Sequence, residues 1–84
     1  MGKFTRDEQL FLAYTAAYEC MNRSYIGDAE WDLMAISLED SLKNKIENYS
    51  PATGMWIHEI DWKVYNKAYR YIINHTKPRG DERW

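Results

Sequence analysis

The sequence predicts an all-α fold: a small three-helix domain, with an antiparallel helical hairpin and a third helix packed across it. Apolar residues recur at three- and four-residue steps through most of the chain, the spacing of one face of a helix. No segment shows convincing strand alternation, and no internal repeat is present. Gly27, and later Pro51 and Gly54 in "SPATG", stand where the helical pattern is interrupted.

The first helix is expected near residues 6–21. Thr5 and Glu8 in "TRDE" form the pattern of a capping box, in which each side chain answers a backbone N–H that the helix start leaves unpaired. Phe11, Tyr14, Tyr18 and Met21 then recur at helical steps, beside Leu10, Ala13, Ala17 and Cys20. "NRSYIG" is a short connector, and Asp28 is read as the cap of a second helix near 28–48. Its stripe is Trp31, Met34, Ala35, Leu38, Leu42, Ile46 and Tyr49. The third helix, near 57–75, carries Ile57, Ile60, Val64, Ala68, Tyr71 and Ile72. Its start has two readings: Asp61 as a cap, which leaves "MWIHE" extended, or a beginning near Met55. Residues 1–75 form the single domain, and "TKPRGDERW" (76–84) reads as a mobile tail.

At 84 residues the chain buries roughly 60–65% of the surface its unfolded form exposes, enough for one core. With 45% hydrophobic and 29% charged residues it is too apolar for disorder and too interrupted by charge for a membrane protein. No run approaches the roughly 20 apolar residues of a bilayer span. "MGKFTRDEQ" lacks the apolar stretch of a secretory signal, and Arg6 stands where a myristoylation motif needs Ser or Thr. Cys20 is the only cysteine, which rules out an intrachain disulfide or a thiolate zinc site. His58 and His75 lack metal-ligand spacing, so no metal is expected and the expected location is cytoplasmic. Residues 1–61 hold five Lys/Arg against eleven Asp/Glu, a balance of −6; residues 62–84 hold six against two, a balance of +4. An acidic body with a basic end does not describe a dedicated nucleic-acid binder, though it permits a local basic contact surface.

The most distinctive stretch is "YTAAYECMNRSYIGDAEWD", residues 14–32. Tyr14 and Tyr18 lie four apart and share one helix face, and Asp28 and Asp32 stand in the same relation on the second helix. If the two helices run antiparallel across the connector, Tyr18 and Trp31 face each other with both carboxylates close by. Aromatic faces attract a planar cation, and carboxylates accept hydrogen bonds from hydroxyls and amides. A flat, cationic, hydroxyl-bearing ligand such as nicotinamide riboside suits that set.

These residues resemble the N-terminal helical domain of bacterial NAD-dependent DNA ligases, which grips the nicotinamide mononucleotide (NMN) half of NAD. In that family a tyrosine of the first helix precedes a D-A-E-Y-D block by ten residues, often with another aromatic four residues earlier. Here Tyr18, Asp28 and Tyr14 hold those places, and "DAEWD" stands for the block with Trp31 at its tyrosine. Met21 and Ile26 fall into register, and "SPATG" is faintly similar to the family's S-P-T turn. The likeness covers residues 8–54 and concentrates in 14–32. It implies that Tyr18 and Trp31 sandwich the nicotinamide ring, that Asp28 and Asp32 contact the ribose and carboxamide side, and that Tyr14 supports the pocket. Glu19 departs from the histidine or tyrosine usual there and would repel the phosphate. The adenylation motif K-x-D-G is absent; "KPRG" at 77–80 has Arg79 where aspartate is required. The expectation is therefore a non-catalytic binding module with no required cofactor and with NMN or NAD as its ligand. A stand-alone copy in so short a chain suits a small phage or mobile-element accessory protein.

Each of these residues also has an ordinary role. Tyrosines at helical spacing build cores, Asp28 after a glycine suits an N-cap, and an aspartate in the first turn favours the helix dipole. A second candidate surface is "DWKVYNKAYRYI", where Trp62, Tyr65 and Tyr69 interleave with Lys63, Lys67 and Arg70. An exposed flank of aromatic and basic groups suits a protein partner, such as a host or defence protein that the chain inhibits. "RGD" at 79–81 is a three-letter match without further support.

Overall fold

A computed structural model describes residues 4–75. It is all-helical, with no strand among the described residues, and has four α-helices where the sequence predicts three. They are α1 (Arg6–Met21), α2 (Asp28–Ser37), α3 (Glu39–Lys43) and α4 (Asn66–His75), with two 3₁₀ turns, Met55–Glu59 and Trp62–Val64, before α4. The tail proposed for 76–84 lies outside the described residues.

The start of α1 is the predicted capping box. The Glu8 N–H donates to Thr5 Oγ1 at 3.2 Å and the Thr5 N–H donates to Glu8 Oε1 at 2.8 Å. The helix ends at Asn22, in the left-handed region at φ 56°, where asparagine is among the few residues tolerated. The Arg23 N–H reaches back to the Ala17 carbonyl at 2.9 Å, closing the last turn. Glu8 is 1% exposed and does more than cap. It accepts from Ser41 Oγ, and Lys45 Nζ stands 2.7 Å from its Oε1, so one carboxylate ties the first turn of α1 to α3 and the segment after it. Burial pushes the Glu8 carboxyl up, but the hydrogen bonds from Lys45, Ser41 and Thr5, with the Lys45 charge, outweigh it and hold the group below its ordinary value.

The long second helix expected over 28–48 is two helices. The chain breaks at Leu38, whose φ of −98° and ψ of 4° leave the α region. The Tyr49 hydroxyl donates to the Ala35 carbonyl at 2.7 Å, just before the break. Burial, and second the charge of Glu39, push that hydroxyl up to about 12, so it stays protonated as the donor. Leu42 and Ile46 are buried despite the break.

The third predicted helix is shorter than 57–75. "MWIHE" is a 3₁₀ turn, neither extended nor α-helical, and Asp61 caps the second 3₁₀ turn by accepting the Lys63 N–H at 3.0 Å. The α-helix begins only at Asn66.

The core is built around α1, which packs chiefly against α4 and the first 3₁₀ turn. Ala13, Ala16 and Ala17 are fully buried, and their small side chains allow neighbours to approach closely. Phe11 lies at the centre of an aromatic cluster, 5.2 Å from Trp31 and 5.8 Å from Trp56 between ring centroids; Tyr49 lies 4.9 Å from Trp56. The Trp56 indole N–H is shared between the Ser50 and Thr53 carbonyls, at 3.0 and 2.7 Å, which fixes the 50–54 loop onto the core.

Candidate ligand cleft

A cleft of about 370 Å³ opens between α1, the start of α2 and the 51–54 loop. Tyr14, Tyr18, Asp28, Trp31 and Asp32 all line it. Two helices and the connector thus bring together the five residues singled out in the sequence.

Trp31 forms a fixed wall. It is half-buried, packs on Phe11 with the ring planes 32° apart, and donates its indole N–H to Thr15 Oγ1 at 2.9 Å. Thr15 is itself buried and donates its hydroxyl back to the Phe11 carbonyl at 2.8 Å. The indole is therefore held by a ring on one side and a hydrogen bond at its edge. Tyr14 is half-buried, and burial, then the charge of Glu30, push its hydroxyl up. Tyr18 is 44% exposed at the rim.

The carboxylates at the start of α2 divide their work differently from the sequence reading. The N-cap is Gly27, not Asp28, and its N–H is taken by Glu30 Oε1 at 2.9 Å. Asp28 is the first helical residue, where its charge suits the helix dipole. The capping role expected of Asp28 falls to Glu30, because a glycine at the cap leaves the carboxylate three residues on to answer its N–H. Asp28 and Asp32 are exposed, with the cleft between them and α1.

Sequence reasoning did not assign Thr15, Ser24, Thr53 or Gly54 to the site, yet all four line it. Gly54 is buried against α1: a Cβ there would stand 2.9 Å from Thr15 Cγ2 and 3.0 Å from Glu19 Cγ. The signal that pointed to it was the "SPATG" interruption; Trp56, two residues on, fixes the loop by bonding the Ser50 and Thr53 carbonyls, a tertiary placement that the interruption does not specify.

The proposed partner flank separates. Trp62 is 54% exposed, and Lys63, Lys67 and Arg70 are exposed. Tyr65, however, is 5% exposed and part of the core, and Tyr69 is partly buried against it. The inward face of α4 and the residue before it is Tyr65, Ala68, Tyr69 and Ile72, while Tyr71, expected inside, is 48% exposed. Tyr71 stacks on His75 with ring centroids 4.2 Å apart, under the Arg6 guanidinium at 5.6 Å. Tyr65 is therefore no contact residue for a partner.

Cys20 Sγ lies 3.8 Å from His58 Nδ1 on the surface. Burial and the neighbouring Glu19 push the thiol up, against the activation that a nucleophilic cysteine needs. Among the described residues there is no cluster of side chains suited to a metal ion, and no helix long and apolar enough to cross a membrane. No protein-family model, curated protein or solved structure matches the chain significantly.

Proposed function

We propose that this chain is a non-catalytic binding module whose cleft takes the nicotinamide–ribose end of NMN or NAD, acting alone or beside a separately encoded ligase. One observation carries the reading: five residues chosen by their likeness to the ligase helical domain line a single cleft. The lining also suits the ligand chemically. Trp31 and Tyr18 offer aromatic surface to a pyridinium ring, a contact typically worth about 0.5–2 kcal/mol. Asp28 and Asp32 offer acceptors for ribose hydroxyls and the carboxamide. The volume lies within the roughly 300–1,000 Å³ of small-molecule sites.

The test is an NMR titration of labelled protein with NMN to about 10 mM, a range that captures binding near 1 mM, or about −4 kcal/mol. The reading expects saturable shifts at the Trp31 indole and the amides of 14–32, lost in Asp32→Ala. Unchanged spectra in a folded protein at the top concentration, with NMN and with nicotinamide riboside alike, reject it.

A second reading rests on Trp62, an indole more than half exposed beside Lys63. It makes the chain a protein-interaction factor acting on a host or defence protein through Trp62, Lys63, Lys67 and Arg70. Under it, Trp62→Ala and Arg70→Ala abolish activity and Asp32→Ala does not.

A further inference from the structure

We infer that Glu19 sets the specificity of the cleft, so that it takes a cationic, phosphate-free pyridinium nucleoside in preference to the corresponding nucleotide. The inference deepens the nicotinamide reading and rests on it. Three acidic side chains, Glu19, Asp28 and Asp32, line the cleft, and among the described residues no lysine or arginine does. The aromatic walls are neutral. The cleft thus offers a π surface and negative charge together, which favours a planar cation on both counts.

Glu19 is placed to discriminate. Asp28 and Asp32 stand on α2, whereas Glu19 comes from α1, beside the loop that closes the third side. Its side chain lies along Gly54, where a Cβ would stand 3.0 Å from Glu19 Cγ and 3.1 Å from Oε2. The backbone of the loop therefore confines the stem, and the carboxylate rests beside the cleft. A phosphate adds roughly 1.5–2 negative charges at pH 7. A nicotinamide nucleoside enters this field as a net cation; its 5′-phosphate cancels or reverses that charge and finds no cation in the lining to receive it.

The experiment compares nicotinamide riboside with NMN on the full chain, by the Trp31 indole and the amides of 14–32, in wild type and Glu19→Gln. Wild type is expected to bind the riboside about tenfold or more tightly than NMN, a difference within reach of a few charges at moderate screening. Raising salt from about 20 to 300 mM weakens the riboside complex and strengthens the NMN complex, because screening acts on an attraction in one and a repulsion in the other. Glu19→Gln narrows the gap to about threefold or less by improving NMN, since one of the three lining charges is gone. If NMN binds wild type as tightly as the riboside, or if Glu19→Gln leaves the gap unchanged, the selectivity is overturned while the nicotinamide reading stands. If neither ligand moves the 14–32 signals, both fall together.

Discussion

Thr15 shows how a single side chain prepares the cleft. A threonine in a helix interior commonly bonds back to a carbonyl four residues earlier, and here it also accepts the Trp31 indole N–H. Thr15→Val preserves the volume and removes the acceptor, leaving a partly buried donor unpaired at a cost of about 1–2 kcal/mol. Urea denaturation is expected to show that loss, with the Trp31 indole resonance moved. Carboxylates of one short stretch divide similarly: Glu30 serves the Gly27 N–H, which leaves Asp28 and Asp32 on the cleft side of α2. The sequence located all three acids, but the identity of the cap depended on a one-residue difference in where the helix begins. Tyr65 and Trp62 give a sharper contrast. Tyr65→Ala empties a core site and is expected to cost about 3 kcal/mol, while Trp62→Ala on the surface stays within about 0.5 kcal/mol. Equal effects on the thermal midpoint would contradict this placement.

The elements were legible where the signal was local and obscure where it was tertiary. The "TRDE" capping box at α1 was readable because its partners lie three residues apart. The break at Leu38 was not, since Leu38, Leu42 and Ile46 continue the apolar spacing across it and Leu42 and Ile46 stay buried. Ile57, Ile60 and Val64 likewise hold a helix-like rhythm through two 3₁₀ turns. The flank of α4 was misread because aromatic residues lie on several sides of it, and only packing on α1 decides that Tyr65 and Tyr69 turn inward while Tyr71 does not. The tie between α1 and α3 yields a pH prediction. Glu8 has a folded-state value below its ordinary 4.5, so its stabilising contribution is present above about that pH and is lost as pH falls through the lower folded value. The urea midpoint of wild type should fall below pH 4.5 more steeply than that of Glu8→Gln, which at neutral pH is expected to be about 1–3 kcal/mol less stable. Parallel pH profiles would remove Glu8 from the account.

At the scale of the whole molecule, one helix supplies both the core and a wall of the cleft. Phe11, Leu12, Ala13 and Ala16 of α1 are buried, while Tyr14 and Tyr18 line the opening. The cleft's shape therefore depends on the fold. Gly54→Ala should show this coupling, since its Cβ would press on Thr15 at 2.9 Å, and such overpacking costs about 1–3 kcal/mol. Calorimetry is expected to record a lower thermal midpoint together with weaker nicotinamide binding; a loss of neither would separate the loop from the cleft. The central claim is that Tyr18 and Trp31 enclose a nicotinamide ring, and the most direct measurement is of intermolecular nuclear Overhauser effects in a sample saturated with nicotinamide riboside. The account predicts contacts from the pyridinium ring protons to the rings of both Tyr18 and Trp31. Contacts only to Trp62 or Tyr71, or none at all from a folded protein, would contradict it.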